Sequence, residues 1–235
     1  MEDYFDVDSL AKYLHLTPEQ IRKMADRGKL PGQRVSGEWR FPRREIFHWF
    51  EERIGISDDT QLQQYERIID RHNNESDSPT ISIDAFLPLE LVWLDCRGRS
   101  KSSLIRDVCE FVAHAGYVWD SEKLATAIQN REHLNSTALE NGVALLHPRR
   151  PQLDNLREPF LALIRTPSAI PFGGPRGTLT DLFFLVASDS ETFHLKILAR
   201  LARLLGMPNV ISELRQAEDA VAAKKILTNA EQLLG

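Results

Sequence analysis

The 235-residue chain is predicted to be an α+β protein of two domains: a small helix-turn-helix unit with a β-hairpin wing, then an α/β sandwich in which a mixed sheet is flanked by helices. Three observations predict this. Helix starts and stops follow one another closely between Phe5 and Ile54, hydrophobicity then falls up to Pro79, and beyond it helix-like segments alternate with short unbroken apolar runs. The domains accordingly read as 1–55 and 80–235, with 56–79 as a linker containing a short helix.

In the first domain, Asp6-Val7-Asp8-Ser9 supplies cap residues ahead of Leu10, Ala11, Tyr13 and Leu14, whose spacing gives a short helix one apolar face. After a break at His15-Leu16-Thr17, the run Thr17-Pro18-Glu19-Gln20 offers an N-cap, a proline at the first helical position and a capping-box glutamine. This second helix runs through Ile21, Met24 and Ala25 to Gly28. Gln33-Arg34-Val35, Ser36-Gly37 and Glu38-Trp39-Arg40-Phe41 read as a hairpin closed by a glycine turn. Pro42 is expected to open a third helix, with Ile46, Phe47, Trp49, Phe50 and Ile54 as its apolar surface.

In the linker, His72-Asn73-Asn74-Glu75-Ser76-Asp77-Ser78-Pro79 has the composition of exposed chain, while Leu62, Tyr65, Ile68 and Ile69 recur at helical spacing. Packing within the chain and pairing with a second copy both satisfy that apolar face. Beyond it, Val143-Ala144-Leu145-Leu146, Pro159 to Ile164 and Asp181 to Ala187 are strand candidates, apolar enough for a sheet buried on both faces. Helices are expected over Ser102 to Ala115, Ser121 to Asn130, His194 to Leu205 and near the C-terminus.

Composition narrows the class. With 42% hydrophobic and 27% charged residues the chain is an ordinary globular protein, and no apolar run approaches the roughly 18 to 20 residues of a membrane span. The acidic start Met1-Glu2-Asp3 lacks the features of a secretory signal, so a cytoplasmic address is expected. Cys96 and Cys109 show neither CxxC nor Cys/His ligand spacing, so buried thiols are expected, with no metal and no organic cofactor. His15, His48, His72, His114 and His133 read as structural or exposed by the same test. The stretch Pro171-Phe172-Gly173-Gly174-Pro175-Arg176-Gly177 lacks the Walker and Rossmann spacings and reads as a turn.

The net charge of −5 hides a local positive patch. Arg22, Lys23, Arg27, Lys29, Arg34, Arg40, Arg43 and Arg44 fall between the second and third helices, opposed there only by Asp26 and Glu38. Lysine and arginine supply most nonspecific affinity for DNA, and a helix after a tight turn is the usual element in the major groove. Gln20, Arg22, Lys23 and Arg27 are therefore candidate contacts on the second helix, and Arg34 and Arg40 on the wing. A solvated charged face is the alternative. Val7 to Leu14, Thr17 to Gly28, Lys29-Leu30-Pro31-Gly32 and Glu38-Trp39-Arg40-Phe41 together resemble the excisionase-type, mercury-regulator-like winged helix-turn-helix family. That resemblance implies double-stranded DNA as partner. A module of this size is expected to bind paired half-sites as a homodimer.

In the second domain, an apolar strand delivers His147 straight to a turn, after Arg131-Glu132-His133-Leu134-Asn135-Ser136-Thr137. A neutral imidazole is a good nucleophile, and its two nitrogens divide the labour when a neighbour holds one N–H. A phosphoryl group arriving there needs positive charge and hydrogen-bond donors, and Arg131, Arg149, Ser136 and Thr137 are suitable types. Taken alone, a histidine at a strand end is more often structural or exposed than catalytic. The order Arg-Glu, Ser-Thr, Asn-Gly-Val-Ala and histidine resembles the fructose/mannitol and nitrogen-regulatory enzyme IIA family of the phosphoenolpyruvate phosphotransferase system, over about Thr80 to Leu234.

This resemblance implies a sandwich of enzyme IIA type that takes phosphate on His147 from a histidine-containing phosphocarrier protein, a carrier component rather than a free-standing enzyme. It also implies that His194, at the start of a later helix, orients His147 or stabilises phosphohistidine, and that Arg131 neutralises phosphoryl oxygens. The chain departs from the family pattern at Ala138 and Glu140, where glycines are usual, and at Leu146, where a proline is usual; Pro148 also removes a backbone donor. The leading reading is a regulator that couples phosphorylation of His147 to DNA binding. A second reading keeps DNA binding but makes the C-terminal domain a degenerate, non-phosphorylated dimerisation or docking unit. A third is a sugar-transport enzyme IIA whose first domain binds protein.

Overall fold

A computed structural model describes residues 4–14, 16–54, 62, 82–150 and 154–234, and the chain divides into two compact units, Met1–Pro79 and Thr80–Gly235. Apart from Leu62, the expected linker and its short helix lie outside the described residues, as does His15.

In the first unit, Asp6 starts α1 (Val7–Leu14): its Oδ1 accepts from the Ser9 N–H at 2.7 Å, and the Ser9 hydroxyl oxygen accepts from the Asp6 N–H at 2.9 Å. The helix buries Leu10, Ala11, Tyr13 and Leu14. The expected capping box opens α2 (Pro18–Asp26), with Gln20 N–H on Thr17 Oγ1 at 3.2 Å and Thr17 N–H on Gln20 Oε1 at 2.8 Å. The wing is β2 (Gln33–Val35) and β3 (Glu38–Pro42), antiparallel with Val35 opposite Glu38. Ser36 and Gly37 both take positive φ, 52° and 86°, the conformation that a two-residue hairpin turn matched to strand twist requires.

Two details differ from expectation. A short β1 (Tyr4–Phe5) pairs with the other side of β3, giving the order β1-β3-β2. Pro42 closes β3 opposite Tyr4 instead of opening a helix, and α3 runs Arg43–Ile54. Its missing N–H suits a strand end, and its fixed φ is compatible with extended backbone. Phe5, Tyr13, Phe41, Ile46 and Phe50 are buried, with Tyr13 at 4.9 Å from Phe5 and edge-on to Phe47 and Phe50 at 6.0 Å.

The second unit begins with α4 (Ile83–Phe86), a 3-10 turn at Leu89–Leu91 and β4 (Val92–Trp93). Then come α5 (Lys101–His114), α6 (Ser121–Leu134), β5 (Val143–Leu146), β6 (Phe160–Ile170) and β7 (Thr180–Ala187). Helices α7 (Glu191–Gly206), α8 (Val210–Gln216) and α9 (Ala220–Leu234) close the chain. The sheet order is β4-β6-β7-β5, with β4 parallel to β6, β6 antiparallel to β7 and β5 parallel to β7, so the expected mixed sheet is present.

The alternation of strand residues decides the layers. Ala144, Leu146, Phe160, Ala162, Ile164, Phe183 and Leu185 join Leu104, Ile105, Val108 and Val112 of α5 and Leu124 and Ile128 of α6 in one core. The alternate residues, among them Val143, Leu145, Leu161, Leu163, Leu182 and Phe184, are also buried, and α7 packs on β7 and α9 on β4. Each such Leu or Phe contributes about 1.5–3 kcal/mol by leaving water, so this burial is the main force holding the sheet between its helices.

Strand β6 outruns the expected apolar run by continuing through Arg165 to Ile170, with a register shift at the stretch containing Pro167. Proline removes a ladder donor, and an irregularity is where a strand accommodates it. The Pro171 to Gly177 stretch is a turn, as read, joining β6 to β7 and containing Arg176 at φ 55°. Both cysteines are buried, and burial pushes the Cys109 thiol up to about 12. Among the described residues no helix is long and apolar enough to cross a membrane.

Candidate functional site

Because β5 and β7 run parallel in register from Val143↔Leu182 to Leu146↔Leu185, their C-terminal ends meet the same edge of the sheet. The chain leaving β5 there is His147; the chain leaving β7 passes Ser188 and enters α7, whose first turn carries His194. Crevices beyond the carboxyl ends of parallel strands are where α/β folds bind ligands. The two rings lie 5.0 Å apart between centroids, tilted by 56°, at exposures of 4% and 8%. Ser190 caps α7, accepting from Phe193 N–H at 3.4 Å with its hydroxyl and from His194 N–H at 2.9 Å with its carbonyl. The start of a helix is a favourable place for negative charge.

His147 Nδ1 donates to the Leu145 carbonyl at 2.8 Å. A carbonyl only accepts, so this bond puts the proton of the neutral ring on Nδ1 and its lone pair on Nε2. In that tautomer a nucleophilic role falls to Nε2 and not to Nδ1.

Arg131 is 3% exposed near the end of α6, and its Nη1 donates to the Asn135 carbonyl at 2.9 Å. Its Nε has no hydrogen-bond partner among the described residues. A buried guanidinium with an unused donor is disposed to receive an anion's oxygen. The segment after it runs antiparallel to β5: Leu145 N–H donates to the Thr137 carbonyl at 3.2 Å, and Ala138 bridges Ala144. Asn135, whose carbonyl anchors Arg131, lies two residues before Thr137 in this segment.

The other phosphoryl-site candidates are placed differently. Thr137 gives both its N–H, at 3.0 Å, and its hydroxyl to Glu132 Oε1. The Ser136 hydroxyl donates to the Phe172 carbonyl at 3.2 Å and accepts from Ala138 N–H at 3.3 Å. Arg149 is exposed, two residues beyond His147. Sequence reasoning passed over Glu132 and Lys101, which form a 2.8 Å ion pair with the Glu132 side chain 2% exposed. A signal existed for Glu132: it extends the apolar stripe of Leu124, Ala125 and Ile128 at helical spacing, so a charge there had to be buried. Lys101 carried none, since its partner lies thirty-one residues away.

On the first unit, α1 and α2 form the helix-turn-helix, and Gln20, Arg22, Lys23 and Arg27 are all exposed. Gln20 is held back on Thr17 by the capping box, while Arg22, Lys23 and Arg27 make no ion pair among the described residues. On the wing, Arg34 pairs with Asp26 at 3.0 Å and lies over Trp39 at 5.2 Å, so it ties the wing to α2. Arg40 pairs with Glu38 at 3.3 Å and donates to the Trp39 carbonyl at 3.2 Å.

A family model described as phosphoenolpyruvate-dependent sugar phosphotransferase system, EIIA 2, matches residues 85–230, and one described as a helix-turn-helix domain matches residues 4–54. The chain is 28% identical to a nitrogen regulatory protein of Pseudomonas aeruginosa, over 57% of this chain and 86% of that protein. A nitrogen regulatory protein of Bradyrhizobium diazoefficiens is 37% identical over 41% of this chain and 63% of its own length. Among solved structures, the nitrogen regulatory protein IIA-Ntr of Neisseria meningitidis superposes with a TM-score of 0.56 at 26% identity, covering 62% of this chain and 99% of that one.

Proposed function

We propose, for a chain that belongs to the phosphoenolpyruvate-dependent sugar phosphotransferase system EIIA 2 family and also carries a helix-turn-helix domain, that His147 accepts a phosphoryl group and that this change is read out through DNA binding. The observation that carries the reading is the His147–His194 pair at one sheet edge, with the Leu145 carbonyl leaving the His147 lone pair on Nε2. In the transfer, Nε2 attacks the phosphorus of a phosphohistidine on a histidine-containing phosphocarrier protein. A P–N bond forms at Nε2 as the donor's P–N bond breaks, and the departing electron pair stays on the donor imidazole. Arg131 and the start of α7 meet the phosphoryl oxygens, and His194 orients the acceptor ring.

In this scheme residues 1–55 read double-stranded DNA as a homodimer, 56–79 link, and 80–235 carry phosphate. Arg22 and Lys23 on α2 and Arg27 at its C-cap contact phosphates and base edges, with the wing alongside. Phosphohistidine adds negative charge at one site, which shifts the balance of the DNA-binding form. The test is labelling of the purified chain from phosphoenolpyruvate and the two general phosphotransferase proteins: label on wild type and none on His147→Ala supports the reading, and equal label on both rejects it. One observation favours a non-phosphorylated docking unit instead: the hydroxyls of Ser136 and Thr137 are bound within the protein, and Pro148 offers no N–H beside His147. An unlabelled wild type would decide for that second reading.

A further inference from the structure

We propose that the Lys101–Glu132 ion pair, acting through Thr137, positions His147 and Arg131 for phosphoryl transfer, an inference that rests on the phosphoryl-acceptor reading above. A continuous path of hydrogen bonds joins the pair to the reacting ring. Lys101 Nζ donates to Glu132 Oε2 at 2.8 Å; Thr137 N–H and Oγ1 donate to Glu132 Oε1; Leu145 N–H donates to the Thr137 carbonyl at 3.2 Å; and His147 Nδ1 donates to the Leu145 carbonyl at 2.8 Å. The carbonyl that selects the His147 tautomer thus belongs to a peptide whose neighbour is set by Glu132. Arg131 is tied to the same segment through Asn135.

A buried carboxylate is seldom the most stabilising choice for its position, because the charge loses its water, and an apolar side chain of similar volume often does as well; the Lys101 side chain stays 31% exposed. Here the carboxylate is 2% exposed and accepts from a lysine, a backbone N–H and a hydroxyl. An apolar side chain in its place fills the volume but leaves the Thr137 N–H and hydroxyl unmatched and the 135–138 segment without its anchor. Lys101 also lies 4.7 Å over the Phe172 ring, and the Phe172 carbonyl receives the Ser136 hydroxyl, so the segment is held at two consecutive residues. Neither Lys101 nor Glu132 touches a reacting atom. They are positioning residues, and their effect reaches chemistry through ring orientation and tautomer, where small misplacements are expensive.

The test uses the full chain, with ring-nitrogen NMR of His147 and the initial rate of labelling measured together. Wild type is expected to show mainly the Nδ1–H tautomer. Folded Glu132→Gln is expected to show a mixture of tautomers and a labelling rate lower by about 10-fold to 100-fold. Thr137→Ser keeps both donors and should match wild type, whereas Thr137→Val should fall between. A folded Glu132→Gln with wild-type tautomer and rate overturns the proposal. If that variant does not fold, the Thr137 pair decides, and equality of Thr137→Val with Thr137→Ser overturns it. Should wild type take no label at all, the phosphoryl-acceptor reading fails separately, and the tautomer comparison alone decides whether the ion pair positions His147.

Discussion

His147 at the end of β5 and Arg131 near the end of α6 are buried and each is bound to a backbone carbonyl; on α2 and at its C-cap, by contrast, Arg22, Lys23 and Arg27 stand in solvent with no ion pair among the described residues. Both regions gather nitrogen donors suited to phosphate, so chemistry of residue type does not separate them. Constraint does. The proposed transfer to one atom would demand a ring and a guanidinium held in place, and burial with a backbone anchor on each is suited to that. Holding a polyanion by counterion release needs only charges on mobile stems, each contributing a little.

Substitutions that exchange these properties sharpen the contrast. Arg131→Gln keeps polarity but removes the charge, and the labelling rate should fall by about 100-fold; Arg131→Lys should not restore it, because a lysine cannot hold Asn135 and a phosphoryl oxygen with one planar fork. A near-wild-type rate in either variant would show that the buried region is not constrained in the way described. On α2, Arg22→Ala with Lys23→Ala should weaken binding to all DNA sequences and lower the salt slope by about one for each phosphate that the helix no longer neutralises, as measured by titration at several salt concentrations.

Asp26→Asn works in the opposite direction. It releases Arg34 from its 3.0 Å pair, so the salt slope should steepen by about one, and an unchanged slope would show that Arg34 stays on Trp39 without it. The smallest effect concerns folding of the first unit. The Ser9 hydroxyl and then its N–H hold the Asp6 carboxyl below its ordinary value of 3.8. A depressed folded value means that this stabilisation is present above 3.8 and fades as the pH falls through the lower folded value. Urea unfolding should show Asp6→Ala less stable by about 1 kcal/mol at neutral pH, with the difference closing in acid.

How far these features were legible in sequence depended on whether their cause was local. The capping box at Thr17 and Gln20, the Ser36-Gly37 turn and the run Val143 to Leu146 were legible because adjacent residues dictate them. Strands β1 and β4, two residues each, have too little pattern to see and exist because β3 and β6 lie beside them. His147, His194 and Arg131 were reached through family resemblance, whereas the meeting of the two histidines needed the parallel pairing of β5 with β7. The commitment of Thr137 to Glu132, and of Arg34 to Asp26, was illegible: a side chain that suits a ligand suits an internal partner equally, and only the fold decides which it meets.

The turn between β6 and β7 separates the two histidines along the chain while the sheet reunites them. Opened at the exposed Arg176–Gly177 bond, the protein would become two pieces, one bearing Arg131 and His147 and the other bearing His194. Neither piece holds a complete site. Radiolabel appearing only on mixing would then count reassembled molecules, turning the proposed phosphoryl acceptor into a gauge of how strongly β7 seeks its place between β6 and β5.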